Sequence, residues 1–263
     1  MNRIKIYQVD AFTDNLFSGN PAAVCILPNW LENEKMQNIA AENNLAETAF
    51  LVKKGNDFEI RWFTPTIEVD LCGHATLATA YVLFNCLNFQ GNEVVFHSSQ
   101  SGKLSVSKEN DQFLLNFPAD QLENADNFEQ IRMCIGITPR ELYKGKTDYI
   151  AVIDLEEEVK NLCPDLNEIS KLKARGLIVT APGEKVDFVS RFFAPQSGIN
   201  EDPVTGSAHT SLIPIWSAKT GKQKMTARQL SKRGGDLMCI NNNGRVSIGG
   251  KGKLYMEGEI FID

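Results

Sequence analysis

Two stretches of this chain repeat the same order of residue types, and this repeat is the feature that most constrains the fold. The first reads FEIRWFTPTIEVDLCGHAT from Phe58 to Thr76, and the second reads FVSRFFAPQSGINEDPVTGSAH from Phe188 to His209. Each runs from an aromatic, strand-like segment through a proline and a glycine-containing loop to a histidine and an apolar, helix-like segment. The repeat predicts matching strand–loop–helix units in two similar halves.

Aligning Pro65 with Pro195 places Cys72 opposite Asp202, because each lies seven residues beyond its proline. A pseudo-twofold relation between the copies would bring two helix N-termini toward one cleft, where their free N–H groups bind carboxylate or phosphate. The two side chains would then face each other across the bound molecule, as a site for proton transfer requires. Chance similarity of two α/β units is the alternative explanation.

The composition excludes several classes of protein. The 263 residues carry a net charge of −6, and the short basic run 171–175 is interpreted as a solvated helix face, so no nucleic-acid partner is expected. No apolar run reaches the roughly 20 residues that span a bilayer, and the first residues do not resemble a signal peptide. We therefore expect a cytoplasmic protein without a membrane partner. No nucleotide-binding glycine motif occurs, so no cofactor is expected.

Strand-like segments outnumber helical ones and short connections join many of them, which favours an α+β fold with mixed or antiparallel sheets. The apolar stretch 75–84 predicts a buried helix, because few of its residues are polar. We place the boundary between halves after Pro118, giving residues 1–118 and 119–263. We leave open whether the final strand, near 257–263, belongs to the first half instead.

Glu47 and Cys72 are the candidates for proton transfer. Glu47 opens an apolar strand, where desolvation is expected to raise its pKa as general acid/base chemistry near neutrality requires; an exposed residue at a strand start is the alternative. Cys72 precedes a predicted helix, whose N-terminus is expected to lower the pKa of the thiol; a small buried cysteine is the alternative. Asp202, before Pro203, is either a polar site residue or a turn residue.

His74 and His209 stand in the repeated loops, and they are two of only three histidines. The Cys72-x-His74 spacing suggests a metal, but no further Cys/His cluster supplies the other ligands that a stable site needs. We therefore expect no metal.

Five motifs resemble the PhzF-like isomerase family of phenazine biosynthesis, which shares the diaminopimelate epimerase fold. They are VDAFTDNLFSGNPAAV (9–24), NNLAETAF (43–50), EVDLCGHATLATA (68–80), EDPVTGSAH (201–209) and QLSKRGGDL (229–237). The match runs nearly end to end. The resemblance implies two pseudo-symmetric halves, each a curled mixed sheet around a central helix, with the site in the cleft between them. It also implies a homodimer and no cofactor.

The resemblance further assigns roles to individual residues. Glu47 matches the general acid/base that moves a proton between carbons of a hydroxylated cyclic diene acid, and His74 and Asp202 match its polar partners. The expected substrate-binding residues are Asn20, Cys72, Gly73, Gly206 and Ser207, of which the two glycines and the serine match positions that hold the substrate carboxylate. In one departure, Cys72 stands where epimerases have a catalytic thiol and the phenazine enzyme typically has a small residue.

The leading hypothesis is therefore a cofactor-independent isomerase that moves a proton on a small carboxylate-bearing metabolite. One alternative is an amino-acid-type racemase or epimerase that uses Cys72 with Asp202 or Glu47. The other alternative is a non-catalytic binding protein on the same fold.

Overall fold

The computed structural model describes residues 2–262, which form two compact units. The first unit is Met1–Asn116 with Gly249–Asp263, and the second is Phe117–Ile248. None of the helices within 2–262 is long and apolar enough to cross a membrane.

The strands are β1 (Asn2–Ala11), β2 (Asn20–Leu27), β3 (Glu47–Lys54), β4 (Asp57–Phe63), β5 (Glu68–Val69), β6 (Glu93–Ser98), β7 (Gly102–Glu109), β8 (Gln112–Pro118), β9 (Glu123–Asn124), β10 (Glu141–Lys144), β11 (Asp148–Val152), β12 (Gly176–Pro182), β13 (Phe188–Phe193), β14 (Lys224–Gln229), β15 (Gly235–Asn241), β16 (Arg245–Gly250) and β17 (Gly252–Ile262). The helices are α1 (Asn33–Asn43), α2 (Gly73–Tyr81), α3 (Phe128–Ile135), α4 (Glu156–Lys160), α5 (Leu166–Ser170) and α6 (Ala208–Thr220). A π-helical turn, Val82–Cys86, extends α2.

In the first unit, strands β1, β2, β3, β4, β6 and β7 pair in that order, and antiparallel and parallel pairs alternate. Strand β17 pairs antiparallel with the other edge of β1. Parallel neighbours need a crossover connection, and in this unit α1 connects β2 to β3 while α2 lies between β4 and β6. Every residue of α2 from His74 to Ala80 is buried, as the apolar sequence predicted.

The second unit has the same pairing pattern. Strands β10 to β15 pair in sequence order as antiparallel, parallel, antiparallel, parallel and antiparallel neighbours. Helices α4 and α5 connect β11 to β12, and the largely buried α6 connects β13 to β14. The repeat in the sequence therefore corresponds to a repeat in topology, with a strand, a loop and a buried helix in each unit.

Candidate active site

The sheet and α2 of the first unit bring four of the predicted side chains together. Asn20 opens β2 and Glu47 opens β3, and these strands are parallel neighbours, with Ala22 beside Glu47. Cys72 directly precedes α2, and His74 lies in its first turn. Because α2 packs on β2 and β3, the start of the helix meets the start of both strands.

His74 is the centre of this cluster. Its Nε2 lies 3.0 Å from Oε2 of Glu47, and its Nδ1 lies 3.2 Å from the side-chain amide of Asn20. The Sγ of Cys72 lies 3.5 Å from the same Nδ1. Only 12% of the Glu47 side chain is exposed, and Asn20, Cys72 and His74 are buried. The cluster thus combines a carboxylate, an imidazole, an amide and a thiol.

The pKa of Glu47 is lowered, which is opposite to the expected direction. Burial by itself raises this pKa, but the charge and hydrogen bond of His74, with a hydrogen bond from Cys72, outweigh it. The sequence prediction considered desolvation alone, because the partner histidine lies far away in the chain. Glu47 is therefore an ionised carboxylate at neutral pH.

The pKa of His74 is raised well above its ordinary value. Burial lowers it, but the neighbouring Cys72 and Glu47 raise it by more. A protonated imidazole beside an ionised carboxylate is a charge-assisted pair, which is stronger than a neutral hydrogen bond. The pair holds the Glu47 carboxylate in a fixed position.

The pKa of the Cys72 thiol is also opposite to expectation. Burial, followed by the negative charge of Glu47, raises it to about 11. Proximity to the start of α2 does not compensate, so the thiol stays protonated at neutral pH. The alternative interpretation, a small buried cysteine, therefore describes Cys72 better than a reactive thiolate does.

Glu47, Cys72 and His74 also form a set that could hold a metal ion. Their potential ligand atoms all lie within 4.8 Å of one another, and thiolate, imidazole and carboxylate are the ligands that Zn²⁺ accepts. The sequence argument missed this set because Glu47 is distant from the Cys72-x-His74 pair in the chain. The expectation of no metal stays a prediction.

In the second unit, Asp202 lies in a hydrogen-bonded loop before α6. Its Oδ2 accepts a hydrogen bond of 2.5 Å from Oγ1 of Thr205, and its carbonyl oxygen accepts one of 2.8 Å from Nε2 of Gln229. Gly206 and Ser207 follow in the same loop. The predicted meeting of this loop with the Glu47 cluster across a cleft stays a prediction.

Arg175 is a site residue that the sequence did not reveal. Its Nη2 donates a 3.2 Å hydrogen bond to Oγ of Ser207, and its Nε donates one of 2.9 Å to the buried Asp148. The interpretation of 171–175 as a solvated helix face is wrong, because α5 ends at Ser170 and Leu172 is buried. Only the fold shows the contact, since Asp148 and Ser207 are both about 30 residues from Arg175.

His209, the counterpart of His74 in the repeat, has a different environment. It is fully buried, and its Nδ1 donates a 2.8 Å hydrogen bond to the carbonyl oxygen of Thr205. Burial lowers its pKa to about 4, so the ring is neutral at physiological pH. The hydrogen bond of His209 to Thr205 supports the loop.

Comparison with known proteins identifies the family. The family model described as phenazine biosynthesis-like protein matches residues 9–258. An uncharacterized isomerase of Pseudomonas aeruginosa is 48% identical over 259 residues, which cover 98% of this chain and 99% of that protein. The crystal structure of a PhzF-family phenazine biosynthesis protein from Enterococcus faecalis has a TM-score of 0.96 at 46% identity, covering 99% of this chain and 100% of that one.

The protein is thus an isomerase with an epimerase-like α+β fold, which confirms the predicted class. The chain belongs to the phenazine biosynthesis-like family. A hydroxyproline epimerase from Agrobacterium vitis shares the fold, with a TM-score of 0.59 at 10% identity over 98% of this chain and 92% of that one.

Proposed function

We propose that this isomerase needs no cofactor and moves a proton on a small metabolite that bears a carboxylate. Glu47 acts first as the base and then as the acid. The buried ion pair between Glu47 and His74 is the observation that supports this role most strongly. A base must be ionised before it can accept a proton, as Glu47 is at neutral pH, although its lowered pKa makes it a weaker base than the sequence predicted.

In the proposed reaction, the Glu47 carboxylate takes a proton from one carbon of the substrate. The electron pair of the broken C–H bond moves into the conjugated system, and the protonated Glu47 returns the proton to another carbon. No atom is lost and no electron is transferred, so isomerisation is complete without a redox partner. One acid/base group contributes typically about 10²–10⁴-fold, and fixed dipoles and charges must supply much of the remainder.

The substrate carboxylate is proposed to bind at helix N-termini, where free N–H groups and the helix dipole favour an anion. Gly73, at the start of α2, and Gly206 and Ser207, before α6, are the proposed contacts. The guanidinium of Arg175, which is paired with Asp148, holds the hydroxyl of Ser207 in place. Asp202 is proposed to orient a polar group of the substrate.

The two alternatives are less consistent with the cluster. A racemase that uses Cys72 needs a thiolate, whereas the pKa of this thiol is raised to about 11. The non-catalytic alternative predicts that Glu47 is exposed and distant from the repeated loops. The side chain is instead mostly buried and pairs with His74.

A screen of carboxylate metabolites in D₂O tests this proposal. The dialysed, chelator-treated protein is incubated with each compound, and deuterium incorporation is followed by mass spectrometry. We expect deuterium at carbon in at least one conjugated carboxylic acid, without added metal or nucleotide. Exchange that appears only after a metal or a cofactor is restored contradicts the cofactor-independent mechanism.

A further inference from the structure

A cavity of about 660 Å³ lies in the first unit at the far ends of β2 and β3 from Asn20 and Glu47. Its walls are mainly apolar and include Ile26, Leu51, Phe58, Leu83, Leu87 and Phe89. Small-molecule sites in proteins have volumes of roughly 300–1,000 Å³ and mostly apolar walls with a few polar groups. The volume of this cavity lies in that range, and its mouth is open to solvent at the exposed Lys53, Asn56 and Gln90.

The cavity is separate from the acid/base cluster. Glu47 and Lys53 lie on the same face of β3 because side chains alternate along a strand, and the six intervening steps place them about 20 Å apart. Helix α2 begins beside Glu47, and its π-helical extension, Val82–Cys86, places Leu83 in the cavity wall. Such π turns are frequent at functional sites.

The charges around the cavity favour an anionic ligand. Among the described residues that line it, Lys53 is the one ionisable side chain, and the others with polar groups carry amides. The neighbouring Lys54 forms an ion pair with Glu59, and Asp57 forms a 2.8 Å pair with His97. Both adjacent carboxylates thus have partners of their own, Lys54 for Glu59 and His97 for Asp57, and Lys53 supplies the positive charge of the cavity.

We propose that this cavity binds an apolar monocarboxylate, with the carboxylate on Lys53 and the hydrocarbon part between Phe58 and Leu83. A single cation above an apolar wall complements one negative charge on an otherwise apolar molecule. This site is independent of the function proposed for Glu47, so each can fail without the other.

Titration calorimetry of the whole chain with decanoate tests the proposal, with the decyltrimethylammonium cation as the probe of opposite charge. We expect one saturable decanoate site and no saturable binding of the cation. Lys53→Ala should weaken decanoate binding at least tenfold, whereas Lys54→Ala, the matched control, should change it less than twofold. Leu87→Asp should abolish binding, and because Leu87 is 37% exposed its replacement should leave the fold intact, as circular dichroism can check.

Three results would overturn the proposal. They are the absence of saturable decanoate binding to the wild-type chain at millimolar concentration, equal losses in the two lysine variants, and equal binding of the cationic probe. The last two would show that decanoate associates with the surface through its hydrocarbon chain alone.

Discussion

His74 and His209 occupy equivalent places in the sequence repeat, yet their protonation is opposite. His74 has two acidic neighbours, Cys72 and Glu47, and its pKa is raised. His209 has a carbonyl oxygen as its hydrogen-bond partner, and burial lowers its pKa to about 4. The same residue type is therefore a charged partner of the candidate base in one unit and a neutral structural group in the other.

The buried His209 predicts a stability change at acidic pH. Its ordinary pKa is 6.5 and its folded-state pKa is about 4, so between these values the unfolded chain binds a proton that the folded chain does not. The contribution of His209 to the free energy of unfolding is fully present above pH 6.5. It falls as the pH drops to 4, by about 3 kcal/mol at most.

Urea denaturation between pH 7 and pH 4 measures this effect. The wild type should lose about 3 kcal/mol more than His209→Gln over that range, because glutamine keeps a donor for Thr205 but does not titrate. His97→Gln is the control, since the His97 side chain is 45% exposed. Parallel pH curves for the wild type and His209→Gln would show that the buried ring is not the cause.

Cys72→Ala separates the two enzymatic mechanisms. Since the pKa of the thiol is raised to about 11, we expect the variant to keep kcat within about tenfold of the wild type, a loss far below that of an essential base. Iodoacetamide should alkylate Cys72 slowly at neutral pH. Complete inactivation of Cys72→Ala, with stability and substrate binding unchanged, would instead assign the protein to the thiol-dependent racemases.

At the scale of elements, the turn before β2 positions Asn20. Gly19 has a φ of +66°, and a Cβ there would lie 2.2 Å from the carbonyl oxygen of Ala11. Only glycine fits a left-handed backbone with so little space. This turn sets Asn20 opposite Ala11 in the β1–β2 pair, and Asn20 in that position lies within reach of His74.

Gly19→Ala should therefore destabilise the protein much more than Gly55→Ala. Gly55 has a similar φ of +62°, but a Cβ there would have no atom within 4 Å, so its replacement should cost only about 1 kcal/mol of backbone strain. Gly19→Ala adds a steric clash, and we expect about 3 kcal/mol or more. Thermal and urea unfolding compare the two, and equal losses would show that the turn relaxes without difficulty.

The sequence predicted those strands and helices whose residue pattern lies within one short segment of the chain. The repeat predicted a strand, a loop and a buried helix in each unit, because periodicity and the aromatic, proline and glycine positions lie within short segments. The repeat did not predict the pairing of Glu47 with His74, which the family resemblance alone implied, and nothing in the sequence indicated the contact of Arg175 with Ser207, since each contact depends on the tertiary fold. The pKa directions of Glu47 and Cys72 were wrong for the same reason, because partner charges outweigh or reinforce burial only once they are close.

At the scale of the whole molecule, we propose a homodimer, as the family resemblance implies. Tyr255, Met256 and Phe261 are large apolar side chains exposed on β17, and a partner subunit on this strand would cover them. Light scattering after size exclusion should give twice the 29.3 kDa mass of one chain. A mass of one chain at micromolar concentration would contradict the proposal.

Proton transfer by Glu47 is the central claim of this account. The most direct test is the rate at which Glu47→Gln incorporates solvent deuterium into the substrate. Glutamine keeps the shape of the side chain but cannot accept a proton at neutral pH. Glu42→Gln, an exposed change on α1, is the matched control. With a substrate found in the D₂O screen, Glu47→Gln should lose deuterium incorporation by about 10²-fold to 10⁴-fold or more, whereas the control should match the wild type. Exchange at the wild-type rate by a folded Glu47→Gln would contradict the claim.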